Sequence, residues 1–185
     1  RVTRVESKLG IHGSPTCEVV FEGAIGVRLG EKGKGFRAML DLMNNARLGV
    51  AAQALGIAEA AFHDASVYAN QREQFGQPIV KQPLVATMLA KMAVNIEAVR
   101  ALCYHTYEVV DLNLAREHAL VGSALSGPER GAHTLALEHD VVRARLLTPL
   151  CKYFATEVCH DITRDAMQIL GGIGYTMDSD VPKLH

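Results

Sequence analysis

Apolar residues recur at helical spacing along most of the chain, beginning at about Phe36. A first segment, from about Phe36 to Asn70, places them mostly at three- and four-residue steps, at Leu40, Met43, Leu48, Ala52, Leu55, Ala58, Ala61 and Phe62. A second segment, from about Pro83 to Glu117, carries Leu84, Met88, Leu89, Met92, Ile96, Val99, Leu102 and Val109. Both patterns predict long amphipathic α-helices. Alanine and glycine in the middle of the first helix predict that a neighbouring helix approaches closely.

Two more helices are predicted in the last third of the chain. One spans roughly Ala132 to Leu146, and the other begins at Thr148-Pro149 and ends at Leu170. We expect a boundary at Thr148 because threonine is a favoured N-cap and proline is favoured at the first helical position. The segments QREQFGQPIVKQP and Ser123–Gly131 contain glycine and proline and are predicted to be breaks between helices.

The first 34 residues have a different character. The stretch TCEVVFEG, from Thr16 to Gly23, has the β-branched and aromatic content of a strand and is bounded by turn-forming residues. Taken together, the pattern predicts a mainly α protein: an antiparallel four-helix-bundle-like domain over 35–185, preceded by a short β segment over 1–34.

Composition removes several classes of function. The chain has 19 basic and 20 acidic residues, a balance that does not suggest a nucleic-acid surface. Its most apolar run, LGVAAQALGIAEAAF, is interrupted by Gln53 and Glu59 and is shorter than the roughly 20 residues that a membrane span requires. The four cysteines form no CxxC pair, so we expect free thiols and a cytoplasmic protein.

One short motif resembles part of a metal site and another resembles a phosphate-binding loop, but each lacks residues that such a site requires. Glu157 and His160 have the Glu-x-x-His spacing of carboxylate-bridged metal sites, but such sites need a second copy on another helix, and we find none. The stretch GEKGKGF lacks the glycine spacing and the Ser or Thr of a phosphate-binding loop. An ordinary helix surface and a plain connector are the better interpretations, and no metal site is predicted.

The stretch RDAMQILGGIGYT contains more glycine than the end of a helix requires. One glycine is enough to stop a helix, whereas this stretch has Gly171, Gly172 and Gly174. A second motif, REQFG, places Arg72 just beyond the end of the first predicted helix. A basic group together with bare backbone suits a phosphate-bearing ligand.

These motifs, in this order, carry a resemblance to a known family. ARLGVAAQALGIAEAAFHDASVYANQREQFGQPI and DAMQILGGIGYTMDSDVPKL resemble the C-terminal part of the flavin-dependent acyl-CoA dehydrogenases, and SKLGIHGSPTCEVVFEGA resembles the last strands of that family's middle β domain. The resemblance implies that residues 1–34 are the tail of the middle domain and 35–185 the C-terminal helical bundle. It also implies FAD as the cofactor and a homodimer or homotetramer with FAD at a subunit interface.

The resemblance also implies roles for single residues. Arg72 matches the family arginine that meets the FAD pyrophosphate of a neighbouring subunit, and Phe75 is expected on the adenine-ribose side of the cofactor. Gln168 and Gly172 match the glutamine and second glycine that contact the adenosine half of FAD. Three glycines are then explained by a dinucleotide resting on bare backbone at a helix end.

For the substrate, the resemblance points to the beginning of the first helix. Arg47 matches a family residue that helps to bind the acyl-CoA, and Asn44 stands where the family often has an aspartate near the ligand. The catalytic glutamate is expected beyond His185. In some members it lies at the position of Ala46 instead, so this chain by itself is expected to be inactive.

The implied reaction is α,β-dehydrogenation of an acyl-CoA thioester, with an electron-transfer flavoprotein or a similar acceptor as partner. A positioned carboxylate removes the α-proton, and the flavin accepts the β-hydrogen as hydride. The alternative is a non-enzymatic helical bundle that acts as an assembly or interaction module.

Overall fold

The protein is a chain of long α-helices, with short strands at its beginning and between the first two helices. A computed structural model describes residues 1–121, 125–176 and 178–185. The strands are β1 (Val2–Val5), β2 (Cys17–Val19), β3 (Glu73–Gln74) and β4 (Gln77–Pro78), and the helices are α1 (Gly35–Gln71), α2 (Pro83–Val121), α3 (Gly127–Leu170) and α4 (Val181–Leu184). Short 3₁₀ turns cover Ile79–Lys81 and Gly171–Tyr175. The prediction of a mainly α, helical-bundle protein is confirmed.

The chain divides into two compact units, Arg1–Ala38 and Met39–His185. In the first unit, β1 and β2 form an antiparallel pair in which Val2 lies opposite Val19 and Val5 lies opposite Cys17. The predicted strand from Thr16 to Gly23 is therefore present but shorter, at Cys17–Val19. A two-stranded ribbon of this length has little apolar surface to bury and is marginal by itself.

The core of the second unit is built on a row of alanines along α1. All six are at least nine-tenths buried and follow each other at three- and four-residue steps: Ala51, Ala54, Ala58, Ala61, Ala65 and Ala69. Side chains as small as alanine allow a neighbouring helix to pack closely. Larger side chains from α2 and α3 fill the other side, among them Met92, Ile96, Val99, Val158 and Ile162. Burial of those side chains is the main source of stability.

Polar contacts between helices fix their antiparallel directions. The Tyr107 hydroxyl on α2 donates to the Leu48 carbonyl on α1 at 3.0 Å, and Arg100 pairs with Glu59 at 2.6 Å. On α2 and α3, the sulfurs of Cys103 and Cys151 lie 3.5 Å apart as free thiols. In both helix pairs, the residue numbers rise along one helix as they fall along the other.

A buried carboxylate adds a second tie between α2 and α3. Asp140 is 9% exposed and accepts from Arg116 on α2 and from Arg143 on its own helix. The Arg116 hydrogen bond, followed by those of His139 and Arg143, holds the pKa of this carboxyl below its usual value. A buried carboxylate without such donors would be strongly unfavourable, so the network is the condition for placing Asp140 there.

The predicted helix boundary at Thr148-Pro149 is wrong. The structure has one continuous helix, α3, with Pro149 in its interior. Proline in a helix interior cannot donate to the carbonyl four residues earlier, here that of Arg145. Thr148 is 6% exposed and Cys151 is fully buried, so packing on both sides of Pro149 holds the two halves in one helix. Tertiary packing here outweighs the local signal.

The beginning of α3 is also earlier than predicted. Residues from Gly127 to Gly131, assigned to a loop by the sequence pattern, form its first turn. Ser126 is the N-cap, and its backbone nitrogen and hydroxyl both donate to the Glu129 carboxylate, at 3.0 and 2.6 Å. This capping box satisfies donors that would otherwise be unpaired. Part of the predicted loop, 122–124, lies outside the described residues. No described helix is both long enough and apolar enough to cross a membrane.

Replacing Pro149 with alanine is expected to stabilise the protein. Alanine restores the missing backbone donor and removes the clash of the proline ring with the preceding turn. Alanine also raises the conformational entropy of the unfolded chain, but this offsets only part of the gain. We expect the free energy of unfolding to rise by about 2 kcal/mol. Chemical denaturation of Pro149→Ala and of Glu157→Ala, an exposed control on the same helix, measures the effect. Equal or lower stability of Pro149→Ala would show that the helix depends on the proline.

Candidate functional site

The end of α3 is shaped by three glycines that do three different things. Gly171 is the C-cap, and its N–H donates to the carbonyls of Gln168 and Met167. Its φ of +61° lies in the region that side chains disfavour. This glycine is therefore required by the way the helix ends.

Gly174 is required by a close approach of the chain to itself. A Cβ built on this residue would lie 2.4 Å from the carbonyl oxygen of Met167, which belongs to the backbone of α3. No side chain fits in this space unless the backbone moves. The 3₁₀ turn Gly171–Tyr175 thus packs back on the helix that precedes it.

Gly172 has neither of these reasons. A Cβ on it would meet no atom within 4 Å, and its φ is not in the left-handed range. Its bare backbone lines an open cleft of about 440 Å³ together with Gln168, Arg164, Met167 and Tyr175. The structure therefore brings together two of the residues that the sequence assigned to the cofactor, Gln168 and Gly172, at a surface that the fold itself leaves free.

The other two predicted cofactor residues lie on a hairpin. Strands β3 and β4 pair Gln74 with Gln77, so Phe75 and Gly76 form a two-residue turn. Both have positive φ, +56° and +76°, the combination of a type I′ turn. For a bulky residue such as Phe75 this backbone costs about 1–3 kcal/mol. Its side chain is 92% exposed, so packing within the chain does not compensate for that cost.

Arg72 begins this hairpin and is firmly attached by its backbone. Its N–H donates to the Tyr68 carbonyl, and its own carbonyl accepts from Ile79, both at 2.8 Å. Its side chain is exposed, and no ion pair is found for it among the described residues. The backbone of Arg72 is therefore held in place at the start of the hairpin, while its guanidinium lies at the surface with its charge available.

Both motifs lie at the same end of the bundle. Gln71, the last residue of α1 before the hairpin, lines a cleft of about 350 Å³ with Leu170 and Ile173, which flank the glycines. Arg72 and Phe75 are not among the residues that line the cleft at Gly172. The structure thus gives two neighbouring surfaces, one with bare backbone and one with an exposed aromatic and a cation.

The predicted substrate residues lie near the other end of α1. Arg47 is half-buried, and its Nη1 donates to the Asn44 Oδ1 at 2.6 Å, one helical turn earlier. An amide orients the guanidinium as an aspartate would but does not neutralise it. Ala46, Met43 and Val50 line a cleft of about 350 Å³ with Arg47, and α3 contributes Lys152 to the same cleft.

Glu157 and His160, the other pair considered in the sequence, lie on the surface of α3. Among the described residues, no group of three or more His, Cys, Asp or Glu side chains could hold a metal ion. Glu157 is exposed on α3, and the ring of His160 lies beside that of His185 with centroids 4.8 Å apart. Within the part of the chain that the structure describes, Glu157 and His160 therefore belong to no larger group of candidate metal ligands.

Comparison with known proteins decides the family. Residues 33–185 match the model of the acyl-CoA dehydrogenase C-terminal domain. The chain belongs to the acyl-CoA dehydrogenase family. Because this domain covers most of the chain, the glycine motif, the hairpin and the Arg47 cleft all lie within the matched region.

Individual relatives agree with this family assignment. A short-chain-specific acyl-CoA dehydrogenase of Clostridium acetobutylicum is 36% identical over 99% of this chain and 42% of its own length. The structure of butyryl-CoA dehydrogenase from Megasphaera elsdenii is similar with a TM-score of 0.74 and 34% identity, over 98% of this chain and 41% of that one. The structure of an acyl-CoA dehydrogenase from Bacillus anthracis in complex with FAD is similar with a TM-score of 0.79 and 30% identity. The match covers 100% of this chain and 30% of that one. The chain therefore spans less than half the length of these relatives.

Lys152 was not found from the sequence, and Gly174 was found there for a different reason. Lys152 lies 105 positions from Arg47, and no local pattern joins a lysine of one helix to an arginine of another. Gly174 was grouped with the glycines that suit a ligand, whereas its neighbour is the Met167 carbonyl. No local spacing signals this approach, because the chain leaves the helix at Gly171 before it reaches Gly174.

The three glycines are expected to respond differently to alanine. Gly174→Ala forces a backbone shift and should lower the free energy of unfolding by about 1–3 kcal/mol or more. Gly172→Ala enters open space and should change it by less than about 0.5 kcal/mol. Thermal melts of the two variants without cofactor give the comparison. A Gly172→Ala variant as unstable as Gly174→Ala would mean that Gly172 also serves the fold.

Proposed function

We propose that this chain is part of an FAD-dependent acyl-CoA dehydrogenase, which catalyses α,β-dehydrogenation of an acyl-CoA thioester. In this proposal the chain supplies contacts to the adenosine and pyrophosphate of FAD and an oligomer interface. The observation that carries it is the end of α3, where Gly172 leaves backbone open to the surface with Gln168 in the same cleft.

The described residues fit a dinucleotide. A flat ring system can lie on the backbone of Gly172, where a side chain would stand in its way. The Gln168 amide offers both a donor and acceptors for hydrogen bonds to an adenosine. Phe75 offers an exposed ring on a strained turn, and strain of this kind is concentrated at functional positions.

Arg72 suits the pyrophosphate. A guanidinium presents two parallel N–H donors to a phosphate, which makes the pair stronger and more specific than a contact with an ammonium. If FAD lies between subunits, Arg72 and Phe75 act on the cofactor of a neighbouring copy, which agrees with their absence from the cleft at Gly172. The assembly is then a homodimer or a homotetramer.

The contribution of this chain to the reaction is binding and orientation. When bound, FAD supplies the hydride acceptor. Arg47, oriented by Asn44, binds the acyl-CoA from the cleft that it shares with Ala46. Ala46 has no ionisable group, so it removes no proton from the substrate. Electrons are passed on to an electron-transfer flavoprotein or a similar acceptor.

Loss of Arg72 is expected to weaken FAD binding. In the protein that carries this sequence, Arg72→Ala should raise the Kd for FAD by about tenfold or more, because a charge-assisted contact to phosphate is lost. Arg72→Lys should recover only part of the affinity. FAD retained after dialysis measures the effect, with Arg37→Ala, an exposed arginine near the beginning of α1, as the control. Equal FAD content in Arg72→Ala and wild type contradicts this assignment.

Gly172→Ala tests the contact with bare backbone. One added methyl group should lower FAD affinity while the apoprotein melts almost as the wild type does. Gly171→Ala, at the C-cap, should show the reverse balance, with lower stability and a milder loss of flavin. FAD titrations paired with apoprotein melts separate the two effects. If the wild type binds neither FAD nor an acyl-CoA, the enzyme proposal fails and an interaction module is the better account.

A further inference from the structure

Two cations from different helices line one cleft on the bundle. Arg47 belongs to α1 and Lys152 to α3, and both side chains are half-buried at a cleft of about 350 Å³. The two residues are far apart in the sequence, and the cleft exists only because α1 and α3 pack together. Removing water from a charge is costly unless a partner compensates for it.

No acidic side chain of the described chain compensates for these charges. Among the described residues, the neutral Asn44 amide is the only side-chain hydrogen-bond partner of Arg47, and neither Arg47 nor Lys152 forms an ion pair with a carboxylate. Two other half-buried arginines, one on α2 beside α1 and one on α2 beside α3, do have such partners. Arg100 pairs with Glu59 and Glu97, and Arg116 pairs with Asp140.

The rest of the cleft is apolar. Met43 and Val50 lie one turn on either side of the small Ala46, so the cations stand beside a hydrocarbon wall. Like charges that line the same cleft repel each other unless an anion neutralises them. A ligand with an anionic group and an extended apolar part would neutralise the two cations and pack against the apolar side of the cleft.

We propose that Lys152 is a second cationic binding residue of the acyl-CoA cleft, acting with Arg47 on one anionic group of the ligand. This inference rests on the proposed function and adds to it a residue and a ligand chemistry. The anionic group is an oxyanion of the thioester ligand, either a phosphate of its CoA part or a carboxylate at the end of its acyl group. Lys152 binds and positions the ligand and takes no part in proton transfer.

Binding of two unreactive thioesters to the FAD-loaded protein tests this inference. Acetyl-CoA and malonyl-CoA have no β-hydrogen to lose, so calorimetry measures their Kd values without turnover. Lys152→Gln should weaken binding by about tenfold, the usual effect of losing one charged contact. Equal loss for both ligands identifies a CoA phosphate as the partner, and loss for malonyl-CoA alone identifies the acyl carboxylate. Lys152→Arg should keep most of the affinity.

Three controls separate ligand binding from a structural role. Lys91→Gln removes an exposed lysine on α2 and should bind both ligands as the wild type does. Lys152→Gln should melt at the same or a higher temperature than wild type without ligand, because it removes a repelling charge. If it melts lower through lost packing of the lysine stem, Lys152→Met keeps the stem and decides the binding comparison. The wild-type Kd should also weaken with salt more steeply than that of the variant.

The outcomes distinguish this inference from the proposed function. If the wild type binds both thioesters and the neutral Lys152 variants bind them equally well, Lys152 has no role and the inference is overturned while the proposed function stands. If the FAD-loaded wild type binds neither thioester, the acyl-CoA function itself fails, and the inference fails with it.

Discussion

Close packing of the alanine face of α1 is the constraint on which the rest of the structure depends. Because small side chains face α2 and α3 from Ala51 to Ala69, the three long helices share one core. A larger residue on this face would separate the helices, since interiors are packed to crystal-like density. The clefts at Arg47 and at the end of α3 keep their shape because this packing fixes the helices that line them.

The motifs proposed to contact the cofactor lie where helices end. The core takes up the apolar faces and leaves Gly171 and Gly172, which follow α3, and the hairpin after α1 at the surface. Irregular backbone there, in Phe75 and Gly171, would be unfavourable in the middle of a helix. The rigid bundle thus holds strained segments in place at one end, and such segments are suited to binding a ligand in a fixed orientation.

Charged residues between the helices and charged residues at the candidate sites differ in whether they have a partner of opposite charge. Within the described residues, the bundle pairs Asp140 and Arg100 with opposite charges, whereas Arg47 and Arg72 keep their charges unneutralised. Paired groups stabilise the contacts between helices, and unpaired ones remain available to an anionic ligand. Asn44 illustrates the difference, because it orients Arg47 without reducing its charge.

The sequence by itself determined the helical class of the protein, the approximate bounds of α1 and α2, and the motifs around Arg72 and Gly172. These depend on short-range spacing, which is written directly in the order of residues. Tertiary structure decided that Pro149 lies inside one helix, that Gly174 lies against the Met167 carbonyl, and that Lys152 lines the same cleft as Arg47. Each of these outcomes depends on which side chains the packed helices bring together. Packing can outweigh a local signal such as proline, and residues distant in sequence become neighbours only when the helices associate.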